Sequence, residues 1–308
     1  MRNRFCIAGL LALFAIPANA QLFTLTKEQL TQLTSQYKDE RFSDGRPKVS
    51  DALMERARGM SAEEVWAGLN RFGTTGGRGG GGAGYRNQYE DGFQVLHPKL
   101  KLVGRAFTVQ FMPSRADLDS TLNQWQTAKG QGRLYNQYAI DMLQNGDVMV
   151  VDLFGKVTDG TIVGDNLFYY IMKTTKTGGL VVDGAVRDLE GISEMMMPAY
   201  FRKANPTAIG NVTLTGINIP VRIGQATVMP GDLVFGDSEG IYFIPPQLVQ
   251  QIVDNADEIH IHDEWTRKKF DEGKYKSSEI YSSPKDPALQ KEYKEYLDKR
   301  LEEIRKKQ

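Results

Sequence analysis

From Leu102 onward the chain alternates short apolar runs with segments of helical periodicity, and this alternation restricts the fold more than any other feature. The runs are Val103 to Met112, Asp147 to Phe154, Leu180 to Val186, Val221 to Ile223, Leu233 to Phe235 and Ile241 to Ile244. They are short, rich in β-branched and aromatic residues, and separated by turn signals, so each predicts a buried strand. Helices fit between them at Leu122 to Asn145, Asp165 to Thr175 and Leu189 to Met196. Strands alternating with helices predict an α/β domain. The last three strands follow one another too closely for crossover helices, which predicts antiparallel or barrel-like pairing there.

Helical segments flank this region. Thr26 to Tyr37 and Ser50 to Arg58 read as short amphipathic helices, and Ser61-Ala62-Glu63-Glu64 has the spacing of a capping box opening a third. After Pro245-Pro246, the residues Leu248, Ile252, Ala256 and Ile259 form one apolar stripe on a helix running to about Phe270. A connector from Ser277 to Asp286 then leads to a charged helix from Pro287, with Leu289, Tyr293, Leu297 and Leu301 on one side. That helix docks either on its own domain or on a neighbouring subunit. Between Gly76 and Gly84, seven of nine residues are glycine. No Gly-Lys-Ser/Thr ending follows and no strand directly precedes it, so it reads as a flexible insertion rather than a phosphate loop. The run Tyr85 to Asp91 after it is either a plain surface loop or a lid.

Composition removes several function classes. The 308 residues carry 38 Lys and Arg against 38 Asp and Glu, so no basic excess points to nucleic acid. Residues 1–20 have the parts of a secretory signal: Arg2 and Arg4, an apolar run from Ile7 to Ile16, and Ala18-Asn19-Ala20 as a small-x-small cleavage site. The run is shorter than the roughly 20 residues that span a bilayer, so no stable membrane span is expected. The chain is thus expected to be exported, to the periplasm or beyond, with a mature start at Gln21. Cleavage would remove Cys6, the single cysteine. Disulfide frameworks and thiolate metal sites are therefore excluded, and any metal must sit on oxygen or imidazole.

The densest group of candidate functional residues is Val181-Val182-Asp183-Gly184-Ala185-Val186-Arg187-Asp188, an apolar strand ending in Asp-Gly with an Arg-Asp pair at the start of a helix. Ends of buried strands face the crevice where α/β folds place ligands. A guanidinium can hold a carboxylate through paired hydrogen bonds, and an adjacent aspartate can take a hard divalent cation. An Arg-Asp dipeptide at such a position can equally be a helix cap and a surface ion pair. Three more segments weigh on that choice: Gly164-Asp165-Asn166-Leu167 opening the preceding helix, Asp44-Gly45-Arg46-Pro47, and the hairpin from Pro230-Gly231-Asp232 through Gly236-Asp237-Ser238-Glu239-Gly240 to Ile244-Pro245.

Together these segments resemble the RraA-like family, which contains the regulator of ribonuclease E activity A and the class II 4-hydroxy-4-methyl-2-oxoglutarate aldolases. The resemblance covers roughly Arg46 to Gly273. It divides the chain into a signal (1–20), an N-terminal helical arm (21–45), an RraA-like domain (46–273) with the Gly-rich insertion at 76–84, and a linker with a C-terminal helix (274–308). It implies an α/β fold with a β/β/α, swivelling-domain-like core, and a homotrimer or hexamer with sites between subunits. As the resemblance has it, Arg187 binds a small-molecule 2-keto acid and stabilises its enolate, and Asp188 holds a largely hydrated Mg²⁺ or Mn²⁺ ion. Gly164 to Leu167 offer backbone N–H groups to the substrate carboxylate, and Asp165 positions a metal-bound water as proton carrier. Glu264, in the late helix, is matched to a glutamate that reaches the neighbouring subunit's site.

One spacing departs from the family. Asp165 lies one residue too far from Arg187, and Asn166 occupies the family's distance. Either the chain absorbs a one-residue irregularity around Thr174 to Gly179, or the loop presents a neutral amide. The implied activity is a metal-dependent lyase releasing pyruvate by retro-aldol cleavage or oxaloacetate decarboxylation. A water held by a metal can act as acid or base near neutral pH, so such a site needs no histidine. His260 and His262 are two apart and face different ways on a helix, His97 precedes a proline, and Met195 to Met197 reads as core filling. The other class open to the sequence is a non-catalytic binding or regulatory ring in the cell envelope.

Overall fold

A computed structural model describes residues 24–73, 84–85, 87–128, 136–281 and 283–306. Residues 1–20, where a signal is expected, and nearly all of the glycine-rich run lie outside these. The N-terminal helices are α1 (Lys27–Leu33), α2 (Asp51–Ala57) and α3 (Ala62–Phe72). Ser61 and Glu64 close the expected capping box on α3, and Thr26 with Gln29 closes one on α1. Then come β1 (Tyr89–Glu90), β2 (Gln94–Val95), β3 (Leu102–Pro113), α4 (Ala116–Ala128), α5 (Asn136–Ile140), β4 (Asp147–Thr161), α6 (Asp165–Thr175), β5 (Gly179–Val186), α7 (Leu189–Ser193) and β6 (Ala199–Ala204). The rest is β7 (Val212–Ile217), β8 (Val221–Ile223), β9 (Ala226–Val228), β10 (Leu233–Gly236), β11 (Ile241–Ile244), α8 (Val249–Asp271), α9 (Ser277–Ile280) and α10 (Pro287–Arg305).

The main sheet runs β1-β11-β10-β3-β4-β5-β6-β2, with β7 also on β3. Strands β3, β4, β5 and β6 are parallel neighbours, while β8 pairs antiparallel with β9 and β10 with β11, as the close spacing of the late strands predicts, and β7 lies antiparallel on β3. The central strands carry continuous apolar stretches, Val148–Val151 and Leu180–Val182 among them, because both faces are covered there. Met149, Val151 and Val182 face the layer containing Phe168, Ile171 and Ile192 from α6 and α7. Val148, Val150 and Val181 face the β8–β9 hairpin through Val221, Ile223 and Val228. A third cluster packs α2, α3 and the first half of α8 on Val103, Phe235 and Ile244. The fold is thus mixed α/β, a central sheet between a small β layer and helices. Among the described residues no helix is long and apolar enough to cross a membrane.

Two readings of the sequence need correction. The helix expected from Leu122 to Asn145 is two helices, α4 starting earlier at Ala116 and α5 ending at Ile140. Strands β1, β2, β6, β7 and β9 arise where no strand was expected, β1 within the run read as a surface loop or lid. Val212-Thr-Leu-Thr-Gly-Ile alternates like a half-exposed strand rather than forming an apolar run, and β6 is buried only over Ala199–Phe201 before it emerges at Arg202.

Candidate active site

The candidate site lies at the carboxyl end of β5, where the neighbouring chain segments bracket the strand. On one side, Ile162 N–H donates to Ala185 O (3.0 Å) and Arg187 N–H to Val163 O (3.0 Å). On the other, Asn205 N–H donates to Val186 O (2.9 Å). Gly164 and the start of α6 are therefore held against the Arg187-Asp188 pair. An open cleft of about 580 Å³ is lined there by Asp165, Arg187, Asp188, Gly191, Asn205 and Pro206, among others.

Arg187 Nε lies 3.4 Å from Asp188 Oδ2, and the two side chains are 40% and 45% exposed, so both groups are available to a ligand. Asp188 N-caps α7 in the left-handed region (φ 56°, ψ 43°). That conformation is uncommon for a residue with a side chain and is best tolerated by Asp, Asn and Gly. Gly164 closes the other wall: a Cβ there would collide with Asp188 Oδ2 and lie 2.8 Å from Arg187 Nε. Only glycine lets the loop approach the pair this closely.

Of the two candidates for the acidic position, Asp165 lines the cleft, while Asn166 is exposed and not among the lining residues. Asp165 N–H points at Asp188 Oδ2 (3.4 Å), and its own Oδ1 accepts from Asn166 N–H (2.7 Å). The far end of α6 closes in an irregular turn. Lys176 adopts φ 56°, ψ −61°, and Thr177 N–H donates to Thr175 O (2.6 Å) across a γ-turn. The turn falls within the Thr174–Gly179 segment where an extra residue could be absorbed. Leu167 packs on the core beneath the loop.

Among the described residues no group of three or more His, Asp, Glu or Cys side chains is placed to hold a metal. A cage of protein ligands is therefore not what these residues offer. Asp188, half exposed and beside Asp165, fits instead a Mg²⁺-like ion, which keeps most of its waters and needs only one or two carboxylates.

Other candidates sit elsewhere. Glu264 does not line the cleft. Its carboxylate accepts from Tyr296 Oη (2.7 Å), Lys268 Nζ (3.1 Å) and Arg300 Nη2 (3.1 Å), all within its own chain. The Tyr296 hydroxyl first, then Lys268, hold its carboxyl down at about 2. The Asp44–Pro47 segment and the Pro230–Asp232 turn pack on each other, Pro47 lying against Gly231. They sit at the opposite end of the sheet, because Arg46 is buried against Asp147, the first residue of β4 (3.0 Å). The hairpin's Asp237 accepts from Ala62 N–H (3.0 Å) and so supports the start of α3. Tyr89 and Glu90 pair with β11 as an edge strand. His260 binds Glu64 (2.6 Å), and this bond raises its pKa, while His97 meets the Met195 carbonyl (2.7 Å). The sequence reading missed Asn205 and Pro206. An Asn-Pro turn signal was present, but β6 before it was not recognised.

A family model described as RraA-like, Aldolase/RraA, matches residues 47–243. A Halalkalibacterium halodurans protein provisionally named 4-hydroxy-4-methyl-2-oxoglutarate aldolase is 33% identical over 119 residues, which are 39% of this chain and 56% of that protein. Protein DlpA of Legionella pneumophila is 28% identical over 172 residues, 55% of this chain and 25% of its own. The chain thus spans about half, or less, of the length of these curated relatives. The crystal structure of Streptomyces coelicolor RraAS2, an unusual member of the RNase ES inhibitor RraA protein family, superposes with a TM-score of 0.58 at 28% identity. That match covers 73% of this chain and all of RraAS2.

Proposed function

The chain belongs to the RraA-like Aldolase/RraA family, and from that premise we propose that it is a divalent-metal-dependent lyase that cleaves a carbon–carbon bond of a 2-keto acid to release pyruvate. The observation carrying this reading is the convergence of Gly164, Asp165, Arg187 and Asp188 on one cleft at the end of β5. Relatives bearing an aldolase name support the reaction class.

Arg187 is placed to bind the substrate carboxylate, since its guanidinium remains 40% exposed while its backbone is fixed to Val163. In the retro-aldol direction the bond between C3 and C4 breaks, and its electron pair stays on the pyruvyl fragment as an enolate. The guanidinium stabilises that negative charge where it develops, an effect typically contributing several kcal/mol. The hydroxyl proton of the departing fragment passes to a water held by Asp165. Return of a proton to the enolate carbon completes pyruvate and frees the carbonyl co-product. A Mg²⁺ or Mn²⁺ ion held by Asp188 would supply Lewis-acid polarisation of the keto oxygen.

The half-exposed state of Arg187 and Asp188 supports a site completed by another subunit, in a homotrimer or hexamer. Glu264 enters this reading only across such a boundary, and only by giving up its bonds to Tyr296 and Arg300. Export is proposed on the first twenty residues alone. The likeness to RraAS2 favours one second reading, a binding or regulatory protein without chemistry.

The test is pyruvate release from 4-hydroxy-4-methyl-2-oxoglutarate and from oxaloacetate with Mg²⁺ or Mn²⁺. Turnover is expected with the metal and is expected to vanish in Arg187→Ala. No release with either metal, or full activity in that variant, would leave the regulatory reading standing.

A further inference from the structure

We propose that Asn205 determines specificity in this cleft, its side-chain NH₂ donating a hydrogen bond to a carboxylate on the half of the substrate that departs. The inference rests on the keto-acid reading of Arg187 and Asp188 and concerns what lies beyond the pyruvyl end.

The Asn205 amide is oriented before any ligand arrives. Its Oδ1 accepts from the Thr207 backbone N–H (3.0 Å) and from the Thr207 hydroxyl (2.6 Å). A backbone N–H can only donate, so the atom facing it is the oxygen and the NH₂ faces away. The Thr207 hydroxyl in turn accepts from Asp159 N–H (2.7 Å), which leaves its proton for Asn205. The Asn205 backbone is fixed as well, its N–H on Val186 O (2.9 Å) and its C=O accepting from Thr161 Oγ1 (3.1 Å). Among the described residues the NH₂ itself has no protein acceptor. A pre-oriented donor on a cleft wall is a recognition group, because the entropy of ordering it has already been met by folding.

Position assigns the part of the substrate it reads. The strands run β4, β5, β6 in order, so the Gly164-Asp165 loop flanks Arg187 on the β4 side and Asn205 flanks it on the β6 side. In a keto acid anchored on Arg187, the C4 hydroxyl turns to the proton carrier at Asp165, and the C4 carboxylate, on the other side of that carbon, extends toward Asn205. A neutral NH₂ prefers an oxygen acceptor there, and a charged one most. The cleft then selects keto diacids over keto monoacids.

The experiment compares a diacid, 4-hydroxy-4-methyl-2-oxoglutarate, with a monoacid, 4-hydroxy-2-oxopentanoate, in wild type, Asn205→Ala and Asn205→Asp with Mg²⁺. Asn205→Asp keeps the acceptor for Thr207 and puts a charged oxygen where the donor was, so it separates recognition from loop structure. The diacid KM is expected to rise roughly 10-fold or more in both variants, and more in Asn205→Asp, with kcat and the monoacid KM nearly unchanged. Equal loss on both substrates, or unchanged KM in Asn205→Asp, overturns the proposal while leaving the lyase reading intact. Calorimetric binding of 2-oxoglutarate against 2-oxobutyrate keeps the two claims apart. A diacid preference that disappears in Asn205→Asp supports the role of Asn205 even without turnover, whereas no diacid preference in wild type overturns it.

Discussion

Gly164 shows how much of a site can depend on a missing side chain. Its backbone is extended (φ −106°, ψ −166°), a conformation open to any residue, so no torsional need explains the glycine. The need is proximity: a Cβ would occupy the space of Asp188 Oδ2 and crowd Arg187 Nε. Gly164→Ala is therefore expected to push the Arg187-Asp188 pair out of place with little effect on the core. Misplacement of reacting groups by about 1 Å can cost on the order of 100-fold in rate. Pyruvate release in Gly164→Ala is expected to fall by at least that factor while the thermal midpoint stays within a few degrees. Normal turnover in the variant would show that the loop can yield. Of this residue-level arrangement, the Arg187-Asp188 pair stands out in the sequence as a strand end that could equally be a cap and an ion pair, and its grouping with the Gly164 loop comes from the family resemblance. Asn205 was not legible, because its role depends on Thr207 and Asp159, whose meeting is a matter of tertiary structure.

The turn from β9 into β10 carries the clearest pH dependence at the scale of an element. Met229-Pro230-Gly231-Asp232 closes with Asp232 N–H on Met229 O (3.1 Å), with Gly231 at φ 90°, the geometry of a type II turn. The Asp232 side chain bonds back to Met229 N–H (2.8 Å) and is only 3% exposed. Burial, opposed by that single bond, pushes its carboxyl from 3.8 up to about 8. Between those values the folded chain holds a proton that the unfolded chain has released, so stability is complete below about 4 and is lost as pH rises through about 8. The slope from one such group is at most about 1.4 kcal/mol per pH unit. Asp232→Asn keeps an acceptor for Met229 and removes the charge. Its melting temperature is expected to exceed that of wild type by a margin that widens from pH 5 to pH 8, and parallel curves would refute the assignment. The sequence shows the β10–β11 hairpin, with Asp237, Ser238, Glu239 and Gly240 at its turn, but not β9 before it, whose three residues are too few to carry a periodicity. Continuous apolar strands are legible because they are covered on both faces. The alternating β7 and the half-emergent β6 are not.

At the scale of the molecule, α8 belongs to two bodies of packing. Its first half, through Val249, Ile252, Val253 and Ala256, sits on the cluster formed with α2 and α3. Its second half carries Trp265 into a separate cluster with Ile280 and Leu289, flanked by Tyr275, Tyr293 and Tyr296. The Trp265 and Tyr293 rings are 5.2 Å apart, and Lys269 bridges to Glu292 on α10 (2.6 Å). Of the polar links across this seam, Arg300 to Glu264 joins two groups about a third exposed, and Lys269, itself buried, reaches a Glu292 that is about half exposed; links this open to solvent should each contribute about 1 kcal/mol or less. The apolar cluster therefore does most of the holding, and it shares no buried residue with the clusters around the sheet. A chain ending at Gly273 is expected to keep the sheet, the cleft and pyruvate release. It should lose only the order of the last turns of α8. Trp265 reports this directly: it is 1% exposed, whereas Trp66 and Trp125 are 59% and 36% exposed, so removing α9 and α10 should shift the tryptophan emission to the red. Truncation also takes away Tyr296 and Arg300, so the Glu264 carboxyl should titrate closer to an ordinary glutamate. If the shortened chain unfolds cooperatively at a much lower temperature, the two bodies are one. Loss of activity with the sheet intact would instead mean that α9 and α10 serve a cleft they do not touch within their own chain, the outcome a site shared between subunits would produce.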